Sequence, residues 1–130
     1  MSTPERYRRK VIVVEDDQIQ SIALKLLLEN LDYEVTGIFR TGEEVCSSVT
    51  VDSIDLIISD LRLDGTMTGP ELIRKLREFG DTPAIFITGQ NRHKANTLIS
   101  DLPNSALLIK PIVIQEIEQV LEELDFQPNL

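Results

Sequence analysis

Two apolar runs in this chain end on carboxylates. Lys10-Val11-Ile12-Val13-Val14 runs into Glu15-Asp16-Asp17, and Ile54-Asp55-Leu56-Ile57-Ile58-Ser59 runs into Asp60. Two further runs end on Thr88-Gly89 and on Lys110-Pro111. If each run is a strand of one parallel sheet, all four ends lie on one edge. Three or four carboxylates gathered there repel one another unless a cation sits among them. Hard carboxylate oxygens suit Mg2+ or Mn2+, and Mg2+ keeps several waters and takes only one or two protein carboxylates. Glu15, Asp16 and Asp60 supply more than enough. A carboxylate left free can attack phosphorus and form an acyl phosphate. Charge on the incoming group is spread over three oxygens, which a divalent ion, the Lys110 ammonium and the Thr88 hydroxyl can share. The residue types point to phosphoryl transfer onto Asp60 at a divalent-metal site.

These ends need a scaffold to bring them together. The run 11–14 is rich in β-branched residues and reads as a strand. Over 18–31, Ile19, Ile22, Ala23, Leu26, Leu27 and Leu31 follow helical spacing, and Asp17 can cap that helix. A second strand is expected over 34–39, and Thr41-Gly42-Glu43-Glu44 is a capping-box pattern opening a short helix through Val49. The third strand covers 54–59. After a loop containing Gly65 and Gly69, Pro70 fits the first turn of a third helix with Leu72, Ile73 and Leu76 as its apolar stripe. A strand over 83–88, a helix over 91–102, a strand over 105–109 and a helix over 112–124 complete the series. Five strands alternating with five helices predict an α/β fold, a doubly wound five-stranded parallel sheet. The flavodoxin-like order 2-1-3-4-5 makes strands one and three neighbours at the topological switch point, where ligands bind. A single domain over 8–126 is expected, with short termini at 1–7 and 127–130 and no output domain.

Bulk properties narrow the function classes. At 130 residues the chain suits one domain, and 42% hydrophobic with 27% charged residues is a globular composition. No apolar run approaches the roughly 20 residues of a membrane span, and no apolar leader opens the chain, so a cytoplasmic protein without membrane contact is the expectation. The net charge of −9, from 22 acids against 13 bases, argues against direct nucleic-acid binding. The basic patch Arg6, Arg8, Arg9 and Lys10 reads as a solvated arm. The lone cysteine, Cys46, falls on an apolar helix position and is expected in the core; His93, the lone histidine, is expected on the surface of the fourth helix.

With these motifs in view, the chain resembles the receiver domain of two-component response regulators along nearly its whole length. The matching segments are Val13-Val14-Glu15-Asp16-Asp17, Ile58-Ser59-Asp60, Ile87-Thr88-Gly89 and Ile109-Lys110-Pro111. Each is weak alone; four in order, each at a strand end, are specific. The resemblance implies that Asp60 is the phosphoacceptor and that Glu15 and Asp16 are the acidic pair, with Asp16 the direct metal ligand. It implies that the Arg62 backbone carbonyl is a further ligand, Thr88 the switch hydroxyl and Lys110 the phosphate-contacting cation. A cis Lys110-Pro111 step, Mg2+ (or Mn2+), and a histidine kinase or histidine phosphotransfer protein as donor are implied too. So are an unknown downstream protein and a homodimer or partner contact through the helix 4–strand 5–helix 5 face. By the same likeness, Arg62 and Gln90 influence phosphate lifetime.

The chain departs from that family in three places. Leu107 stands where an aromatic is usual, three positions before the lysine. Asp64 replaces a common proline in a loop one residue longer, and Ile112 follows Lys110-Pro111 where Phe is frequent. Alternatives at this stage are a receiver segment of a hybrid histidine kinase or larger regulator, and an aspartyl-phosphate hydrolase. A hydrolase of that kind would want Asp-x-Asp after the first strand. A flavin carrier is disfavoured because the acid cluster would repel a phosphate there. A docking module that takes no phosphate is disfavoured by the intact acid, Thr and Lys set.

Overall fold

The structure, a computed structural model, describes residues 8–124. Arg6 of the basic patch and residues 125 and 126 of the expected domain lie outside the described residues, as do the termini 1–7 and 127–130. Strands β1 (Lys10–Val14), β2 (Glu34–Phe39), β3 (Leu56–Asp60), β4 (Ala84–Thr88) and β5 (Ser105–Ile109) alternate with helices α1 (Gln18–Asn30), α2 (Gly42–Ser48), α3 (Gly69–Leu76), α4 (Arg92–Ile99) and α5 (Ile114–Glu123). A short 3-10 turn, Val51–Ser53, precedes β3. The strands form one parallel sheet in the order β2-β1-β3-β4-β5, as the alternation predicts.

Strand alternation divides the core into two layers. Ile12, Val14, Ile57, Ala84, Phe86 and Leu107 point to one face, against Val45 of α2, Leu72, Ile73 and Leu76 of α3, and Ala95 and Ile99 of α4. Val11, Val13, Leu56, Ile58, Ile85, Ile87 and Leu108 point to the other, against Leu24 and Leu28 of α1 and Ile117, Val120 and Leu121 of α5. Covering both faces is what lets the strands be almost wholly apolar. Each fully buried Ile or Leu here contributes about 1.5–3 kcal/mol relative to exposure. Those layers hold the polar strand ends in fixed register.

Helix starts follow local chemistry. Asp17 accepts the Gln20 N–H at 3.0 Å and caps α1. Thr41 with Glu44, and Thr68 with Glu71, form reciprocal capping boxes at α2 and α3. The second box carries the same Thr-x-x-Glu spacing as the first.

Four expectations are corrected. The α1 stripe through Ile19, Ile22 and Leu26 faces solvent, with exposures of 82%, 46% and 62%. Ser21, Leu24 and Leu28 are buried instead, because α1 is apolar around most of its circumference and contact with β1 and β3 selects the other stripe. Cys46 is exposed; Val45, one position earlier, takes the core site. Helix α4 stops at Ile99 instead of 102, leaving Leu98 47% exposed while Leu102 stays buried in a following turn. Helix α5 starts at Ile114 instead of 112, since Val113 is still extended. His93 lies on the exposed side of α4, as expected.

Candidate functional site

Register sets the site. Val14 of β1 pairs with Ser59 of β3, so Glu15 and Asp60 leave adjacent strands at the same level. Asp60 pairs with Ile87, and Thr88 with Ile109, which brings Thr88 and Lys110 to the same edge from β4 and β5. One carboxylate oxygen from each of Glu15, Asp16 and Asp60 lies within 4.8 Å of the others. Glu15 and Asp60 are buried, at 6% and 9% exposure, and Asp16 is half-buried. Asp17 is exposed and occupied with capping α1.

Charge balance within this cluster is incomplete. Lys110 Nζ donates to Asp60 Oδ2 at 3.0 Å and lies 3.9 Å from Glu15 Oε1. Among the described residues it is the one cation in ion-pair range of either acid. Burial, and next the hydrogen bond and charge of Asp60, push the Glu15 carboxyl from 4.5 up to about 8; Lys110 and the Asp17 N–H pull the other way. A buried carboxyl pushed upward in this way marks a site short of positive charge. All three donors are hard oxygens, so the deficit fits an ion such as Mg2+ or Mn2+. Glu15, Asp16 and Asp60 fit the group.

The backbone around Asp60 is closely held. Its Oδ1 accepts the Arg62 N–H at 3.3 Å, and the Ser59 hydroxyl donates to the Asp60 carbonyl at 2.9 Å. Leu61 N–H bonds Ile87, and Gly69 N–H returns to Leu61 at 3.1 Å. Any Cβ on Gly69 would collide with the Asp60 carbonyl oxygen. Ser59 and Gly69 were not singled out from sequence; their roles depend on how the chain folds back over Asp60. Thr88 is buried, and its Oγ1 accepts the Gln90 N–H at 3.0 Å. With the Gln90 amide oriented oxygen toward Arg62, it accepts from Arg62 Nε at 2.9 Å and Nη2 at 3.2 Å. The two residues flanking the site are thus joined to each other. Lys110-Pro111 is cis, and Leu107 is buried at 5% exposure on the α4 side of the sheet.

Comparison with known proteins agrees with this geometry. A family model described as the response regulator receiver domain matches residues 11–122. The transcriptional regulatory protein CrdR of Helicobacter pylori is 28% identical over 131 residues, which is 95% of this chain and 61% of that protein. The CAI-1 autoinducer sensor kinase/phosphatase CqsS of Vibrio cholerae is 30% identical over 109 residues, 82% of this chain and 16% of that protein. The chain therefore spans less than two thirds of these relatives. Among solved structures, the signal receiver domain of a modulated diguanylate cyclase from Desulfovibrio desulfuricans G20 superposes with a TM-score of 0.77 at 28% identity, covering 88% of this chain and 91% of that one. With five strands in the 2-1-3-4-5 order and the family's motifs at their carboxyl ends, the chain belongs to the response regulator receiver domain family.

Proposed function

We propose that Asp60 accepts a phosphoryl group from a phosphohistidine and that the modified chain signals by protein contact. The observation that carries this is the buried Asp60 carboxylate, bonded to Lys110 Nζ at 3.0 Å and clustered with Glu15 and Asp16. An Asp60 oxygen attacks phosphorus, the N–P bond of the donor breaks, and the donor imidazole leaves. Lys110 holds Asp60 in place and offers positive charge to the arriving oxygens. Thr88 carries a hydroxyl one strand away that can turn toward a phosphoryl oxygen. Glu15, Asp16, Asp60 and the Arg62 carbonyl would hold a divalent ion, Mg2+ or Mn2+, which supplies charge neutralisation when bound. Arg62, tied to Gln90, would shield the acyl phosphate with its guanidinium.

A histidine kinase or histidine phosphotransfer protein is the donor in this reading. The exposed apolar stripe Ile19, Ile22 and Leu26 on α1 offers a docking surface beside the site. Output, or a homodimer, uses the α4–β5–α5 face, where Leu107 replaces an aromatic as the residue that repacks. The functional unit is the receiver fold itself, 8–126, acting as a switch that modifies only itself. No helix of the described residues is long and apolar enough to cross a membrane, and cytoplasmic residence goes with the proposed donor. The CqsS match favours a second reading, in which the same switch serves as a receiver segment of a larger kinase or regulator.

Incubation with Mg2+ and acetyl phosphate tests the reading. One phosphoryl group per chain is expected. Continuous release of phosphate from small esters would favour the hydrolase alternative instead.

A further inference from the structure

The loop between β3 and α3 begins at the residues that follow Asp60 and differs from the family at Asp64 and in length. Its middle is fastened to the first turn of α2. Glu43 Oε2 accepts from the Thr66 N–H at 3.0 Å and from Thr66 Oγ1 at 3.1 Å. Thr41 and Asp64 form a one-residue parallel bridge, and Arg40 pairs with the Asp64 carboxylate at 3.5 Å. Gly65 takes φ +91°, and a Cβ there would lie 2.7 Å from the Glu43 carboxylate. Met67 covers Gly42 so closely that a Cβ on that glycine would sit 2.8 Å from the Met67 sulfur. The loop's other holds are the Arg62 N–H on Asp60, Gly69 against Leu61, and Leu63 and Met67 packed against the core, none of which fixes Gly65 or Thr66.

Glycine at 65 and solvent-exposed residues at 64 and 66 would leave this segment many conformations without those attachments. A site built on an unordered loop must order it when ligand arrives, and that cost weakens binding. We propose that Glu43 is a positioning residue for the Asp60 site: by gripping Thr66 it pre-orders the loop that starts at Arg62, and so sets the affinity for a divalent cation. Glu43 touches neither Asp60 nor Lys110 and acts through the loop alone. The inference rests on the receiver reading of the site.

Isothermal titration with Mg2+, in the absence of a phosphoryl donor, separates the outcomes. Supporting partners of metal ligands are worth roughly 10–100-fold in affinity; for an exposed clasp, Glu43→Ala is expected to raise the Mg2+ dissociation constant about three- to tenfold. Glu43→Gln keeps an oxygen acceptor for the Thr66 N–H and is expected to restore affinity to within about twofold of wild type. Thermal midpoints measured without metal should stay together across the three proteins, which a general loss of folding would not allow. Equal Mg2+ affinity in wild type and Glu43→Ala overturns the clasp. Equal weakening in both variants also overturns it, since the lost charge would then account for the effect. Absence of Mg2+ binding by wild type itself removes the receiver reading and the clasp together.

Discussion

Replacing Glu15 by Gln isolates the charge deficit at the sheet edge. Burial and the neighbouring Asp60 push the Glu15 carboxyl from 4.5 up to about 8. A carboxyl raised in this way favours the folded state while protonated. Its contribution is complete below about pH 4.5 and is lost as pH rises through about 8. At 1.36 kcal/mol per pH unit, that displacement sets a ceiling of about 5 kcal/mol. Water reaching the open edge of the sheet, and relaxation of Lys110, bring the expected loss to about 2–3 kcal/mol. Urea denaturation in the presence of a chelator, from about pH 5 to 8.5, reads it directly. Wild type should lose stability relative to Glu15→Gln by that amount across the interval. Saturating Mg2+ should remove most of the difference in slope, because the ion displaces the proton. The reasoning is refuted if the wild-type minus Glu15→Gln difference does not change with pH, or changes in the opposite direction.

Further outcomes follow from other parts of the structure. Gly69→Ala forces a methyl group against the Asp60 carbonyl oxygen and to 3.1 Å from Ser59 Oγ; it should cost about 1–3 kcal/mol in urea denaturation and slow phosphorylation, and wild-type stability would refute the close approach. Arg62→Ala and Gln90→Ala should each shorten the acyl-phosphate lifetime, measured by loss of mass after removal of donor; equal lifetimes in all three proteins would sink the shielding role. Leu26→Glu places a charge on the exposed α1 stripe; it should slow transfer from a phosphohistidine protein at least severalfold while leaving reaction with acetyl phosphate unchanged, and parallel changes with both donors would place docking elsewhere.

The strand ends were legible because burial on both sheet faces makes strands run apolar until they stop, so Glu15, Asp60, Thr88 and Lys110 stand out where they stop. Parallel order then follows from the helices between them. Which face of α1 is buried was not legible. Leu24 and Leu28 share the helix with Ile19, Ile22 and Leu26, and the buried stripe even includes Ser21, whose hydroxyl is satisfied by the Gln18 carbonyl at 3.0 Å. Two apolar stripes on one helix are degenerate until β1 and β3 choose between them. Cys46 lies outside the core for a related reason: α2 buries only Gly42 and Val45 among its seven residues. The Glu43–Thr66 contact spans 23 positions and leaves no local pattern. Gly69 reads as a loop glycine before Pro70 until the fold lays it over Asp60.

Phosphorylation of Asp60 is the central claim, and site-resolved mass spectrometry of the full chain after exposure to Mg2+ and acetyl phosphate tests it most directly. The account predicts one phosphoryl group, located on the peptide carrying Asp60, absent from Asp60→Asn and absent without divalent ion. A phosphoryl group that persists in Asp60→Asn, or no modification of wild type by any donor, would contradict it.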